Sequence, residues 1–288
     1  MGKNLPLPTG SQKFKDLIEL GGIYVDKTAY LAQLIASVPK TWFLTRPRHF
    51  GKSLTVSTLE SIFSGQRELF KGLAIEKELD KKQFAPRPVI HLDMSKLTIS
   101  QGPKIFYNSL IEAIKKLYES LNIDVPDYNI ANSLFSYLIS ECSKTYDCQV
   151  AVLIDEYDTP YTQLLDKPNE AKNMSNTLNE FYRLLKAKDG DTSFVFVTGI
   201  TRVPMDSALN NRIDISRGNQ FGALTGFTHE EIKRYFGKAI KHAAKSRELT
   251  DEELLEEMKR NCDGCCFDGK TFVYNPFSTL RFFEEKTF

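Results

Sequence analysis

The chain has 288 residues, a formal net charge of +1 and an apolar fraction of 41%. That composition supports a sizeable core and excludes both a disordered chain and a strongly basic nucleic-acid platform, leaving direct nucleic-acid binding open only through a local basic patch. No apolar run approaches the roughly 20 residues needed to cross a bilayer, and Met1-Gly2-Lys3-Asn4-Leu5-Pro6 has no apolar signal core, so no membrane contact and a cytoplasmic location are expected.

Five cysteines fit no disulfide framework. Cys262-Asp263-Gly264-Cys265-Cys266 contains a C-x-x-C without the second ligand pair of a structural zinc site, and Cys142 and Cys148 have poor metal spacing. Reduced, partly buried thiols are expected.

In chain order, Gly21-Gly22 precede Ile23-Tyr24-Val25-Asp26-Lys27-Thr28, where Thr28 opens a helix with Leu31, Leu34, Ile35 and Val38 on its buried side. Asp26 and Lys27 read equally well as lining a base pocket and as a salt bridge at the helix start. After Pro39 comes an apolar strand, Trp42-Phe43-Leu44, and then Gly51-Lys52-Ser53 at the head of a helix carrying Leu54, Leu59, Ile62 and Phe63. This strand–turn–helix reads as a phosphate-binding loop. Backbone N–H groups at the helix start would cradle phosphate oxygens, Lys52 would reach the terminal phosphates, and Ser53 would ligate Mg²⁺. The usual loop begins with glycine where this one has Arg46, so alone it reads as well as a basic turn.

The next strand is Val89-Ile90-His91-Leu92-Asp93-Met94, with His91 expected as a hydrogen-bonded core residue. Helices follow, marked by Phe106, Leu110, Ile114, Leu117 and Leu121, and by Leu134, Leu138, Ile139 and Cys142. The buried strand Val150-Ala151-Val152-Leu153-Ile154 then delivers Asp155, a metal ligand, and Glu156, a base for the attacking water. A helix with Leu178, Phe181, Leu184 and Leu185 leads to a strand ending in Val197-Thr198-Gly199. Apolar strands alternating with helices indicate an α/β fold with a largely parallel sheet, whose ligands sit beyond the carboxyl ends of the strands. Lys52, Asp155 and Thr198 all fall at such ends.

Near Leu224 the character changes. Thr228-His229-Glu230-Glu231 and Thr250-Asp251-Glu252-Glu253 are capping sequences that each open a helix, and a further helix begins near Pro276. Residues 1–225 read as the core with its N-terminal segment and 226–288 as a helical lid, and the apolar ending at Phe288 suggests a longer protein.

These residues together resemble the AAA-ATPase-like family of predicted bacterial P-loop ATPases, whose members often carry a PD-(D/E)XK nuclease-like domain at the C-terminus. The resemblance rests on Tyr24-Val25-Asp26-Lys27-Thr28, Thr45-Arg46-Pro47-Arg48-His49-Phe50-Gly51-Lys52-Ser53 and Leu69-Phe70-Lys71-Gly72-Leu73. It continues in Ile154-Asp155-Glu156-Tyr157-Asp158-Thr159-Pro160, Val197-Thr198-Gly199-Ile200-Thr201-Arg202, Gly226-Phe227-Thr228 and Val273-Tyr274-Asn275-Pro276. It makes Arg46 the family's own pattern. It implies an additional-strand P-loop NTPase core in which the Thr198 strand separates the phosphate-loop strand from the Asp-Glu strand. It also carries over Lys52 and Ser53 as phosphate and metal residues, Asp155 as metal ligand, Glu156 as catalytic base and Thr198 as polar sensor. His49 stands where the family usually has arginine, and Cys265 and Cys266 where aromatic residues are common.

The nucleotide contacts expected are Asp26, Lys27 and the run Arg48, His49, Phe50, Gly51, Lys52, Ser53 and Leu54, with ATP and Mg²⁺ as cofactors. Arg48 and Arg202 are candidates for the charge that stabilises the transferring phosphoryl group, set against surface ion pairs, and Arg202 joins Lys52, Thr198 and Glu156 in the catalytic set. Arg212 and Arg217 are alternatives acting from a neighbouring subunit, which makes self-association a candidate partner mode. Asp158 reads as a structural loop acid with a second metal ligand as the alternative, and Asn210-Asn211 as a turn with nucleotide sensing as the alternative. The leading function is Mg²⁺-dependent ATP hydrolysis that switches or drives an attached domain. Its rivals are an ATP-gated module with negligible turnover and a small-molecule kinase.

Overall fold

A computed structural model describes residues 13–38, 40–99, 103–203, 212–218, 220–262 and 264–285. Asn210 and Asn211 lie outside the described residues.

The N-terminal segment forms α1 (Phe14–Glu19) and α2 (Thr28–Ala36), and β1 (Thr41–Thr45) leads through the phosphate loop into α3 (Lys52–Phe63). A short α4 (Ile75–Glu78), β2 (Val89–Asp93), α5 (Pro103–Ser120) and α6 (Ala131–Thr145) bring the chain to β3 (Val150–Asp155). A single turn, α7 (Thr159–Thr162), and the long α8 (Pro168–Ala187) then precede β4 (Thr192–Gly199) and a two-residue β5 (Ile213–Asp214).

The five strands form one sheet in the order β2-β3-β4-β1-β5, with every pair parallel. The strand bearing Thr198 therefore lies between the phosphate-loop strand and the Asp155 strand, as the resemblance implied. Alternation along each strand sends side chains to opposite faces. Phe43, Val152, Ile154, Val195 and Val197 join one core layer with Phe106, Leu134 and Leu178 from α5, α6 and α8. Trp42, Leu44, Leu153 and Phe196 join the other with Phe14 and Leu59 from α1 and α3. Burial on both faces is why these strands read as nearly continuous apolar runs.

The remainder comprises β6 (Phe227–Thr228), α9 (His229–Ser246), α10 (Asp251–Asn261), β7 (Cys265–Cys266), β8 (Phe272–Tyr274) and α11 (Pro276–Glu285). Both capping boxes form, at Thr228 with Glu231 and at Thr250 with Glu253. The short strands make an antiparallel sheet in the order β6-β8-β7, which the helical reading of this region did not include. Two- and three-residue strands give no readable alternation. A third apolar cluster joins Ile232, Phe236, Leu254, Met258 and Phe283 to Val25, so the C-terminal elements pack on the N-terminal segment.

Candidate nucleotide-binding site

One cleft of about 600 Å³ opens at the carboxyl ends of the strands. Its floor is the loop between β1 and α3. Gly51, at φ +87°, supplies a left-handed turn that side chains resist, and α3 starts immediately after it. Neither a side-chain cap nor a first-turn acid occupies the start of α3, whereas α9 and α10 have both. The free N–H groups and positive dipole end of α3 therefore face the cleft, a ready anion site.

Lysine is ordinarily an exposed residue, and Lys52 follows directly on a loop. Instead it is 4% exposed, folded inward to donate to the Pro47 carbonyl at 3.2 Å and to pair with Glu156 at 3.4 Å. The reason is local: as the first residue of α3 it lies under the arch of the loop, and Glu156 is the nearest counter-charge. Ser53 hydrogen-bonds the Asp155 carboxylate, whose Oδ1 also accepts the Glu156 N–H at 3.0 Å. Burial raises the Asp155 pKa above the ordinary value, and the neighbouring Glu156 and Asp93 charges push the same way against Ser53 and Lys52. A buried carboxylate facing two others is a site that a cation would relieve. Glu156 sits at φ +51°, a conformation costly for a non-glycine residue, at the point where the chain leaves β3. Thr198 is fully buried at the end of β4, and its hydroxyl has no hydrogen-bond partner among the described residues.

Phe50, Leu54 and Lys27 line the cleft with Arg48 and His49, both of which are exposed. Lys27 pairs with Glu231 at 2.6 Å, an ion pair to the start of α9 made from the cleft wall. Asp26 is not on the cleft wall: its carboxylate accepts from Thr28 N and Oγ1 and from Ala74 N, tying the start of α2 to α4. Arg202 is also away from the cleft and pairs with Asp214 at 2.6 Å. Arg212 lies over the Phe43 ring and Arg217 is exposed. Arg46 is buried, donates to the Ser216 and Phe221 carbonyls and stacks on Phe267, so it braces the loop from behind. Asp158 accepts the Ile200 and Thr201 N–H groups, a structural acid that locks the end of β3 to the end of β4. His91 bonds Glu60 through Nδ1 at 3.0 Å.

Asp93 was missed. It ends β2 directly beside Asp155 and lines the cleft, with its carboxylate held by Ser95 and Lys96. The signal was present in the sequence, since Val89–Asp93 and Val150–Asp155 are both apolar strands ending in aspartate. Among the described residues no group of three His, Cys, Asp or Glu side chains forms a metal cage, C-x-x-C included. Mg²⁺ needs none, because it is held by one or two protein ligands together with phosphates and waters, and Ser53 with Asp155 fits that pattern.

A parallel sheet with this strand order, a glycine-turned loop entering α3 and an Asp-Glu pair on the adjacent strand define a P-loop NTPase core. Sequence comparison agrees, with residues 8–209 matching the predicted AAA-ATPase family, and the chain belongs to that AAA-ATPase-like family. It is 30% identical over 292 aligned positions to an uncharacterized protein in the vnfD 5′ region of Azotobacter chroococcum mcd 1, covering 98% of this chain. It spans only about half of that relative, 52% of its length. Among solved structures, that of the Aeropyrum pernix ORC1 protein in complex with DNA aligns with 81% of this chain and 57% of its own, at 12% identity and a TM-score of 0.37. No helix among the described residues is long and apolar enough to cross a membrane.

Proposed function

We propose that this cleft binds ATP with Mg²⁺ and hydrolyses it, and that turnover switches or drives a domain attached to this core. The observation that supports it most is the meeting of Lys52, Ser53, Asp155 and Glu156 at one end of the sheet from segments a hundred residues apart in sequence. Ser53 and Asp155 would hold the ion, which neutralises phosphate charge when bound. Lys52 turns from Glu156 to the terminal phosphates. Glu156, so released, orients a water and takes its proton as the oxygen attacks phosphorus, with ADP leaving. Thr198, buried at the end of β4 with no partner for its hydroxyl among the described residues, would serve as the sensor of the reacting phosphate. Asp93, anchored by Ser95 and Lys96, adds fixed negative charge on the ion's side.

The Asp-Glu pair favours water over another acceptor, which sets this reading above a kinase or a binding-only module. The test is phosphate release from ATP by the purified protein with and without small nucleophiles, beside calorimetry on Lys52→Ala. Release that needs Mg²⁺ and ignores added nucleophiles, together with lost ATP affinity in Lys52→Ala, is expected. Unchanged ATP binding in Lys52→Ala would rule out this loop as the phosphate site.

A further inference from the structure

The family match ends at residue 209, yet the cleft does not. Thr225, Gly226, Phe227, Phe277 and Leu280 also line it. The phosphate loop is gripped from that side at three points. Arg46 places its guanidinium 4.0 Å from the centroid of the Phe267 ring. Phe50, 1% exposed, meets the same ring edge-on at 5.5 Å, and its carbonyl accepts the Gly226 N–H at 3.2 Å. His49 stacks on Phe277, with ring centroids 4.7 Å apart and planes at 28°.

The third contact differs in kind from the other two. Arg46 and Phe50 are buried and held by many neighbours, whereas His49 is exposed and sits at φ +65°. A left-handed conformation at a non-glycine residue lasts only where its surroundings impose it, and the ring that packs on His49 is Phe277. Phe277 is itself 43% exposed at the first turn of α11, so burial in the core does not account for its place. Two exposed aromatic rings packed face to face over a strained turn, two residues before Gly51, form a brace for the loop.

We propose that Phe277 is a positioning residue of the nucleotide site: by stacking on His49 it holds the phosphate loop in the turn that receives the triphosphate. This rests on the reading of the cleft as an ATP site. It also makes α11, outside the family match, part of that site. Whatever moves α11 then changes the loop's readiness for phosphate.

The experiment is ATP titration calorimetry, with unfolding midpoints, on wild type, Phe277→Ala, His49→Gly and the double variant. A lost ring stack predicts about three- to tenfold weaker ATP binding in Phe277→Ala, with a midpoint close to wild type. Glycine adopts φ > 0 without help, so in the His49→Gly background, whatever affinity the loss of the imidazole leaves, Phe277 should be dispensable. Phe277→Ala should therefore weaken binding in the wild-type background and not in the His49→Gly background. Unchanged affinity in Phe277→Ala, or the same fold loss in both backgrounds, would each overturn the proposal. Phe277→Tyr, which keeps the ring, should bind as wild type. Wild-type protein that binds no ATP would instead remove the nucleotide reading itself.

Discussion

On the proposed reading, Asp155 costs stability in the empty protein and would hold Mg²⁺ in the loaded one. Its pKa is raised by burial and then by Glu156 and Asp93, so its ionised form is disfavoured in the fold. A carboxylate with a folded pKa above its unfolded value lowers stability once the pH exceeds the unfolded value, and has no such effect below it. Asp155→Asn should therefore raise the unfolding midpoint of nucleotide-free protein at pH 7, with the difference closing below about pH 4. The same variant should lose the gain in ATP affinity that Mg²⁺ confers. A midpoint lowered at pH 7 would mean the carboxylate is a net structural anchor. Gly199 makes a steric point close by: a Cβ there would collide with the Asp158 carboxylate and the Tyr157 ring. Gly199→Ala should destabilise by about 1–3 kcal/mol by forcing that corner open, as urea unfolding would read. These features differ in how far the sequence discloses them. Lys52, Ser53, Asp155 and Glu156 are legible because type, order and strand context coincide. The inward fold of Lys52 onto Glu156 is not, since an ion pair across the sheet's end depends on which strands are neighbours.

At the scale of elements, α9 connects the cleft to the C-terminal cluster. Glu231 closes the capping box with Thr228 and also accepts both hydrogen bonds from Lys27 at 2.6 Å. Burial lowers the Lys27 pKa, and Glu231 opposes that shift. Glu231→Ala removes the cap's return bond and leaves a buried ammonium unpaired, which should cost about 3 kcal/mol. Thr228→Ala removes one cap and should cost about 1 kcal/mol. Chemical denaturation of both would separate the terms, and equal losses would mean that the Lys27 pair contributes nothing. The capping boxes are readable because the motif is local and recurs with the same spacing, Thr228 to Glu231 and Thr250 to Glu253. The β6-β8-β7 sheet is not readable, because its pairing joins Phe227 to Tyr274 across the whole helical segment. Asp26 shows the limit of a residue-type argument, since a carboxylate before a helix can face a base or hold a backbone, and here it holds Ala74.

For the whole molecule, the charge that would stabilise phosphoryl transfer is the open element. Among the described arginines Arg48 lines the cleft, while Arg46, Arg202 and Arg212 are held by Phe267, Asp214 and Phe43. An arginine supplied in trans is worth roughly 10³–10⁵ in turnover at comparable sites. Turnover per protein molecule by this chain is therefore expected to be slow and to rise with protein concentration. Turnover at full rate in dilute monomer, independent of concentration, would place the missing charge at Arg48. The strand order followed from the resemblance rather than from periodicity, because a βαβ pattern gives alternation but not which strand inserts between which.

The most direct test of the central claim is a paired measurement on Glu156→Gln, with ATP affinity by fluorescence titration and phosphate release at saturating Mg²⁺ and ATP. Removing the carboxylate frees Lys52 from its 3.4 Å pair, so affinity should be equal to or tighter than wild type. Losing the base should slow release by roughly 10²–10⁴-fold. Wild-type turnover in this variant, or equal losses of affinity and turnover, would contradict the account.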